Sequence, residues 1–179
     1  MDLQRAVSPN PYDYLPAVPS FTVTSSDITE GAVIDMRCVH DSAGGGNASP
    51  QLSWSGFPPE TKSFAVTCFD PDAPTLSGWW HWQVADLPAT TTELAHGAGA
   101  PDGSGLPASA VQFRTDFGSF GYQGSAPPPG DYPHRYIFAV HALDTEALGL
   151  AADTPAAVVG FHLTAHTLAR ATLMCTYQH

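Results

Sequence analysis

Titratable side chains collect at the ends of three β-prone runs in this sequence. Asp70 and Asp72 directly follow the run at residues 62–69, His81 lies in the next run, and His134 opens a third. Two imidazoles and a carboxylate brought together could bind an anion, hold a metal ion, or act as general acids and bases. Each residue also has a purely structural explanation, because a histidine in a strand is commonly hydrogen-bonded and an Asp before Pro commonly starts a turn.

Strand alternation predicts which side chains of the third run face the same way. In an extended strand every second side chain shares a face. His134 and Tyr136 should therefore project together toward one cavity, while Arg135 and His141 lie on the opposite face.

The same rule applies to the run that contains three tryptophans, Trp79-Trp80-His81-Trp82. It places His81 on one face with Trp79 and Gln83. Trp80 and Trp82 are expected on the other face, where tryptophans most often serve as packing residues.

The elements that must position these residues are mostly short strands separated by turns rich in Gly and Pro. The sequence predicts strands at 21–24, 51–54, 62–69, 80–85, 135–143 and 172–177. Long loops are expected at 95–109 and 116–130.

One helix is predicted near the C-terminus. Thr154 suits the N-cap and Pro155 the first helical position. Apolar residues at three- and four-residue spacing then predict one buried face, formed by Val158, Phe161, Ala165 and Leu168. A shorter helix is expected at residues 146–150.

The composition is that of an acidic, folded chain. Its 179 residues are 43% hydrophobic, and 17 acidic against 6 basic residues give a formal net charge of −11. This length fits one domain, which we place at residues 20–179 after an extended, Pro-rich N-terminal arm at residues 1–19. The acidic balance argues against nucleic acid as a partner and against adsorption to anionic membranes, because both need a basic surface.

The sequence favours a cytoplasmic location. Its start has no apolar run typical of a signal peptide, and no stretch is long and apolar enough to span a membrane. Cys38, Cys68 and Cys175 are odd in number and widely spaced without a CxxC motif, which fits a reducing compartment. A disulfide between two of them stays open at this point.

The chain resembles the phosphatidylethanolamine-binding protein family, and within it the bacterial, Raf-kinase-inhibitor-like branch. Residues 70–82, DPDAPTLSGWWHW, resemble the first signature of that family. Residues 121–143, GYQGSAPPPGDYPHRYIFAVHAL, resemble the second, with its Pro-rich turn and HRY strand opening. Further similar segments extend the likeness over roughly residues 20–177, at 47–54, 56–66 and 159–177.

The resemblance implies a mainly β fold, in which a large antiparallel sheet packs on a smaller one as a sandwich, with peripheral helices that include a C-terminal one. It also implies a pocket at one end of the large sheet that accepts phosphate-like or carboxylate-like anions. By motif position, the residues expected to line this pocket are Asp70, His81, His134, Tyr136, Gly124, Pro127, Pro128, Trp79 and Trp80. Those expected to support it are Asp72, Arg135 and Tyr122, with Arg135 paired to an acidic residue of the Asp70–Pro74 turn.

Such a set of residues can bind an anion in a defined way. His81 and His134 can donate N–H groups and carry charge when protonated, and Tyr136 offers a hydroxyl donor. Asp70 would repel an anion, so its expected role is to orient a histidine and favour its protonated form. Affinity for the anion should then rise as the pH falls through the histidine range.

The leading functional hypothesis is a binding protein for a small phosphate- or carboxylate-bearing ligand, of which a phospholipid head-group is one case, with a regulatory role. The alternative is an enzyme that uses the same His, Asp and Tyr residues for general acid and base chemistry, although no GxSxG nucleophile motif is present. A metal site at Asp70, His81 and His134 is a third interpretation, and a regulator of an unidentified protein partner is a fourth. No cofactor is expected, and a homodimer is compatible with the family.

Overall fold

The computed structural model describes residues 5–179. Within them eight strands form two antiparallel sheets, accompanied by one α-helix and three short 3-10 turns. In chain order the elements are β1 (Thr22–Thr24), β2 (Leu52–Ser55), β3 (Ser63–Asp70), β4 (Trp79–Pro88), β5 (Glu93–Leu94), β6 (Val111–Gln112), β7 (His134–Leu143), α1 (Ala156–His166) and β8 (Thr167–Tyr177).

The two-sheet, mainly β architecture expected from the sequence is confirmed. The smaller sheet has the strand order β1-β2-β5, and the larger has the order β6-β4-β3-β7-β8. The central strand β3 is buried along its whole length, because its apolar run SFAVTCF has a neighbouring strand on each side and a packed layer on each face. Within residues 5–179 the helical elements beside the sheets are α1, near the C-terminus, and the three short 3-10 turns.

The main core lies between the two sheets. Alternate residues of β3, such as Phe64 and Val66, face the smaller sheet, and the ring of Trp54 on β2 meets Phe64 at 5.4 Å between centroids. A second, smaller core lies on the outer face of the large sheet under the helix, and Ala65 of β3 belongs to it. The three cysteines are buried and unpaired, as small core residues.

A β-bulge at His81 interrupts the alternation along β4. Cys68 pairs with Trp82 and the next residue, Phe69, pairs with Trp80, so His81 is an extra residue on β4. The bulge turns His81 to the inner face, where its ring centroid is 5.1 Å from that of Tyr136. Bulges re-aim side chains in this way beside functional sites.

Because of the bulge, the predicted faces of β4 are partly wrong. Trp82 lies on the inner face with His81, in the main core. The Gln83 amide points to the outer face, where it reaches the Ala156 carbonyl at the start of the helix. Trp80 is on the outer face as predicted, packed against Phe69 at 4.4 Å between ring centroids.

The helix forms where predicted, but its start and its buried face differ. Pro155 occupies the N-cap, without a side-chain cap from Thr154. The buried residues are Val159 and Leu163, whereas Phe161 is 72% exposed. Apolar residues lie on most sides of the first two turns of the helix, so their spacing alone did not define its buried face. The strand β8, which begins at Thr167 directly after the helix, determines which side of the helix packs on the sheet. Among the described residues, no helix is long and apolar enough to cross a bilayer.

Residues 146–150, expected as a short helix, are irregular. The backbone N–H of Leu148 donates to the Asp86 carboxylate at 2.8 Å, and Leu148 packs against the outer core. The segment is therefore held by a side-chain acceptor and by apolar contacts rather than by helical hydrogen bonds.

Residues 5–20 contain no strand, and Tyr12 and Pro19 among them contact the large sheet. A 3-10 turn at Pro11–Tyr14 places the Tyr12 hydroxyl 3.2 Å from Thr67 Oγ1. Further along, the Pro19 carbonyl accepts from the backbone N–H of Arg170 on β8. The boundary at residue 20 between arm and domain stays a prediction.

Candidate functional site

A cavity of about 230 Å³ opens at one end of the large sheet. The final residue of β3 and the first residues of β4 and β7 meet there, because β3 runs antiparallel to both of its neighbours. Loops after β3 and before β7 complete the walls. The lining residues are Asp70, Ala73, Pro74, Thr75, Trp79, His81, Phe117, Ala126, Pro127, Pro128, His134 and Tyr136.

His134 is held between two carboxylates. Its Nδ1 lies 2.7 Å from Asp70 Oδ2, and its Nε2 lies 2.9 Å from Asp131 Oδ2. A neutral imidazole has a single N–H, so only the protonated ring donates to both carboxylates, whereas a neutral Nε2 would accept from Arg5 Nη2 at 3.3 Å. Burial opposes the charge, but the hydrogen bonds and charges of Asp70 and Asp131 outweigh it and raise the pKa of His134.

The same geometry removes His134 as a direct donor to a ligand. Both of its N–H groups are engaged by carboxylates, contrary to the role expected from the sequence. Its ring remains part of the lining, and its charge offsets the carboxylate of Asp70 in the pocket wall.

Asp131 links the pocket to the N-terminal arm. The Arg5 guanidinium donates to Asp131 Oδ2 at 2.7 Å, and the Tyr132 backbone N–H donates to Oδ1. Burial alone would raise the pKa of Asp131, but hydrogen bonds from His134 and Arg5 lower it. Two anions and two cations therefore balance one another behind the pocket: Asp70, Asp131, His134 and Arg5.

Asp70 and Asp72 have separate structural tasks in the turn after β3. Asp70 Oδ1 accepts from the backbone N–H groups of Asp72 and Ala73, at 2.7 and 3.0 Å, which closes the turn. Asp72 forms the expected ion pair with Arg135, with Nε to Oδ2 at 2.7 Å. Burial opposes ionisation of Asp72, but these hydrogen bonds to Arg135 lower its pKa.

His81 presents one ring nitrogen to the pocket. Its Nδ1 lies 2.8 Å from the Gln123 carbonyl oxygen, which accepts, so Nδ1 carries a proton. Burial lowers the pKa of His81, against the raising effect of the Asp70 charge. The free protein therefore holds a neutral His81 whose Nε2 lone pair is an acceptor.

Polar atoms without partners gather around this cavity. The Tyr136 hydroxyl, Trp79 Nε1 and the Ser125 hydroxyl are buried without a hydrogen bond of normal geometry, although the Tyr136 and Ser125 hydroxyls are close enough to interact with each other. Burial raises the pKa of Tyr136, so its hydroxyl stays protonated and able to donate. Buried donors without partners are uncommon in native proteins, and they need an explanation at each site.

Three residues assigned by motif position lie away from the cavity. Trp80 faces the outer side of the sheet because of the bulge at His81. Gly124 packs against the backbone of residues 38–40, where a Cβ would lie 2.3 Å from the His40 nitrogen, and its own N–H donates to Asn47 Oδ1. Tyr122 is a core residue whose hydroxyl donates to the Cys38 carbonyl at 2.8 Å.

Sequence reasoning missed Asp131, Arg5 and Phe117. Asp131 precedes His134 by three residues in a Pro-rich loop, and no periodicity indicates where a loop side chain points. Phe117 lies at the mouth, with its ring centroid 5.4 Å from those of both Trp79 and His81. Nothing in the surrounding loop sequence marks it as a pocket residue.

The structure does not favour the metal site considered for Asp70, His81 and His134. Within residues 5–179 these three side chains do not bring three ligand atoms within 4.8 Å of one another. Both nitrogens of His134 are already bonded to carboxylates, and Nδ1 of His81 faces a carbonyl.

Two packed antiparallel sheets, with a mostly apolar pocket at the strand ends of the larger one, make this a β-sandwich protein. The model of the phosphatidylethanolamine-binding protein family matches residues 24–178, and the chain belongs to that family.

Among similar proteins is the Escherichia coli UPF0098 protein YbhB, which is 48% identical over 158 residues that cover 86% of this chain and 97% of that protein. The crystal structure of Escherichia coli YbcL, described as a new member of the mammalian PEBP family, is 49% identical. The match covers 89% of this chain and 99% of the YbcL chain, with a TM-score of 0.87. A PEBP homologue from Chlamydia trachomatis, CT736, is 30% identical over 89% of this chain and 98% of its own, with a TM-score of 0.75.

Proposed function

We propose that the chain is a binding protein whose sheet-end pocket takes a small ligand through a phosphate or carboxylate group. The observation that carries the proposal is a group of buried polar atoms at the pocket without a hydrogen bond of normal geometry: Trp79 Nε1 and the Tyr136 hydroxyl, whose nearest side-chain partner is the Ser125 hydroxyl. A bound oxyanion offers acceptor oxygens to such donors, and an unmade buried hydrogen bond costs about 1–3 kcal/mol.

The charge balance of the pocket explains how an anion is tolerated beside Asp70. The protonated His134 offsets the Asp70 carboxylate, and Arg5 offsets Asp131. The remaining titratable group is His81, which is neutral in the free protein. A ligand oxygen near Nε2 of His81 favours the protonated ring, or a monoprotonated ligand donates its own proton to that nitrogen.

Binding therefore takes up a proton, and affinity rises as the pH falls. The burial-lowered pKa of free His81 places the free protein in the neutral form at pH 7. The bound anion raises the pKa of His81. Affinity therefore begins to increase as the pH falls through the His81 pKa of the bound protein, and it stops increasing below the His81 pKa of the free protein.

The size of the cavity favours a head-group over a whole lipid. A volume of about 230 Å³ is below the range of about 300–1,000 Å³ typical of drug-sized ligands. Binding of inorganic phosphate, acetate and O-phosphoethanolamine therefore tests recognition of the anionic group itself. Binding of vesicles that contain phosphatidylethanolamine tests whether a lipid carries that group.

Two tyrosines give a matched test by NMR titration with inorganic phosphate. Tyr136→Phe removes a hydroxyl of the pocket lining, so it should weaken phosphate binding about 10- to 100-fold. Tyr122→Phe removes a bonded core hydroxyl, so it should lower stability and leave phosphate affinity within about twofold of wild type. Equal phosphate affinity in Tyr136→Phe and wild type would contradict the proposal.

An enzymatic role for the same pocket has less support. Both His134 nitrogens are bonded to carboxylates, which leaves Nε2 of His81 as the one imidazole nitrogen open to a substrate. A cytoplasmic location fits the three free, buried cysteines, and we keep it as part of the proposal together with a regulatory role.

A further inference from the structure

Outside the pocket lining, three different metal-ligand types meet at one place. Asp27 follows β1, Cys38 ends a 3-10 turn at Met36–Cys38, and His96 follows β5. A carboxylate oxygen, the thiol sulfur and a ring nitrogen of these residues all lie within 4.8 Å of one another. They come from three separate segments, so the fold and not a local motif brings them together.

The carboxylate of this group is held in place by its neighbours. Asp27 Oδ2 accepts from the Gln51 backbone N–H at 2.7 Å and faces Nδ1 of His96 at 2.9 Å. Its other oxygen accepts from the Arg37 guanidinium at 3.0 Å. A metal bound by Asp27 and His96 would take the place of the contact between them, while the Gln51 and Arg37 donors would keep the carboxylate in position.

The thiol has no such partner. Cys38 is fully buried, and within the described chain its sulfur makes no hydrogen bond. Burial, together with the charges of Asp27 and Asp35, raises the pKa of the thiol to about 12. Asp27 and Asp35, the carboxylates near the sulfur, both pair with the Arg37 guanidinium, at 3.0 and 2.9 Å.

We infer that Asp27, Cys38 and His96 form a binding site for a divalent transition metal of the zinc type. One thiolate, one imidazole and one carboxylate are ligands that Zn²⁺ accepts in tetrahedral geometry, with a water in the fourth position. The His96 side chain is 35% exposed, so the ion enters from that side. The mixed sulfur and nitrogen set disfavours Mg²⁺ and Ca²⁺, which take oxygen ligands.

Zn²⁺ displaces the proton of the Cys38 thiol into solvent, and His96 binds as the neutral ring. The thiolate and the Asp27 carboxylate then neutralise the metal. Arg37 keeps an acceptor, because its guanidinium also lies 2.9 Å from Asp35. Metal affinity should therefore rise with pH and binding should release one proton.

The test uses Co²⁺ as a spectroscopic substitute for Zn²⁺ in untagged, reduced protein. We expect a sulfur-to-cobalt charge-transfer band in the near ultraviolet, bleached by an equimolar addition of Zn²⁺. Isothermal titration of Zn²⁺ in two buffers of different ionisation enthalpy should show one proton released.

His96→Ala is the deciding variant, because it changes an exposed side chain and leaves the fold intact. It should abolish the cobalt–sulfur band and weaken Zn²⁺ binding at least tenfold. His166→Ala is the matched control, since His166 also pairs with a carboxylate, Asp144, in an exposed position, and it should keep the band. A wild-type protein without a cobalt–sulfur band, or a band that survives in His96→Ala, would overturn the inference.

Discussion

At the scale of the residue, the protonation of His134 organises the site. Its two ring nitrogens face Asp70 and Asp131, and it is the first residue of β7, where it pairs with Tyr177 of β8. These contacts raise the pKa of His134, and those of Asp131 with His134 and Arg5 lower the pKa of Asp131. In the proposed function, His81 is the residue whose protonation changes when an anion binds.

Asp131→Asn tests this balance. The change removes one charge from the bridge and leaves Arg5 and His134 facing a neutral amide, so the free energy of unfolding should fall by about 2 kcal/mol. The pKa of His134 should fall as well, measured by NMR of its imidazole. Asp144→Asn removes an exposed partner of His166 and should cost well under about 1 kcal/mol. Equal losses in the two variants would argue against a structural role for Asp131.

At the scale of the element, the pocket exists because three strand ends coincide. Asp70, His81 and His134 could be found in the sequence because they sit at ends of β-prone runs and within long family signatures. The faces of β7 followed from alternation, since no bulge interrupts the strand at His134 or Tyr136. The bulge at His81 could not be predicted, because it depends on the pairing of Cys68 and Phe69 with β4.

The positions of loop residues and the buried face of the helix could not be predicted from the sequence either. The place of Asp131 depends on how the loop before β7 folds back, and that of Gly124 depends on its packing against residues 38–40. The buried face of α1 depends on the strand that follows it. In each instance the deciding contact is remote in sequence, so local patterns carry no information about it.

The helix offers a direct test of the observed face. Leu163→Ala opens a cavity in the outer core and should cost about 2–5 kcal/mol in the free energy of unfolding. Phe161→Ala changes a side chain that is 72% exposed and should stay within about 0.5 kcal/mol of wild type. Chemical denaturation measures both. A larger loss of unfolding free energy in Phe161→Ala than in Leu163→Ala would contradict the observed buried face and favour the one predicted from spacing.

At the scale of the whole molecule, buried histidines shape the response to pH. Burial lowers the pKa of His81, and it lowers that of His141 to about 3, with a further contribution from Arg170. An unfolded chain protonates both below about pH 6.5 while the folded chain does not, so they destabilise the fold as the pH falls. His134 acts oppositely, because its raised pKa adds stability below about pH 6.5 that is lost as the pH rises through its folded value.

His141→Gln should reduce the acid sensitivity of the fold. Between about pH 6 and pH 4, His141 alone contributes a loss of roughly 1.4 kcal/mol per pH unit in the free energy of unfolding. The variant lacks this contribution, so its stability should fall less steeply over that range, as measured by denaturation at a series of pH values. Parallel curves for variant and wild type would show that His141 is not held neutral.

The most direct test of the pocket is an NMR titration of the imidazoles of His81 and His134, with and without saturating inorganic phosphate. In the free protein His81 should titrate below its ordinary value and His134 above it. Phosphate should raise the pKa of His81 and leave the pKa of His134 above its ordinary value. A His81 titration that phosphate does not move would contradict the account of an anion site built around that residue.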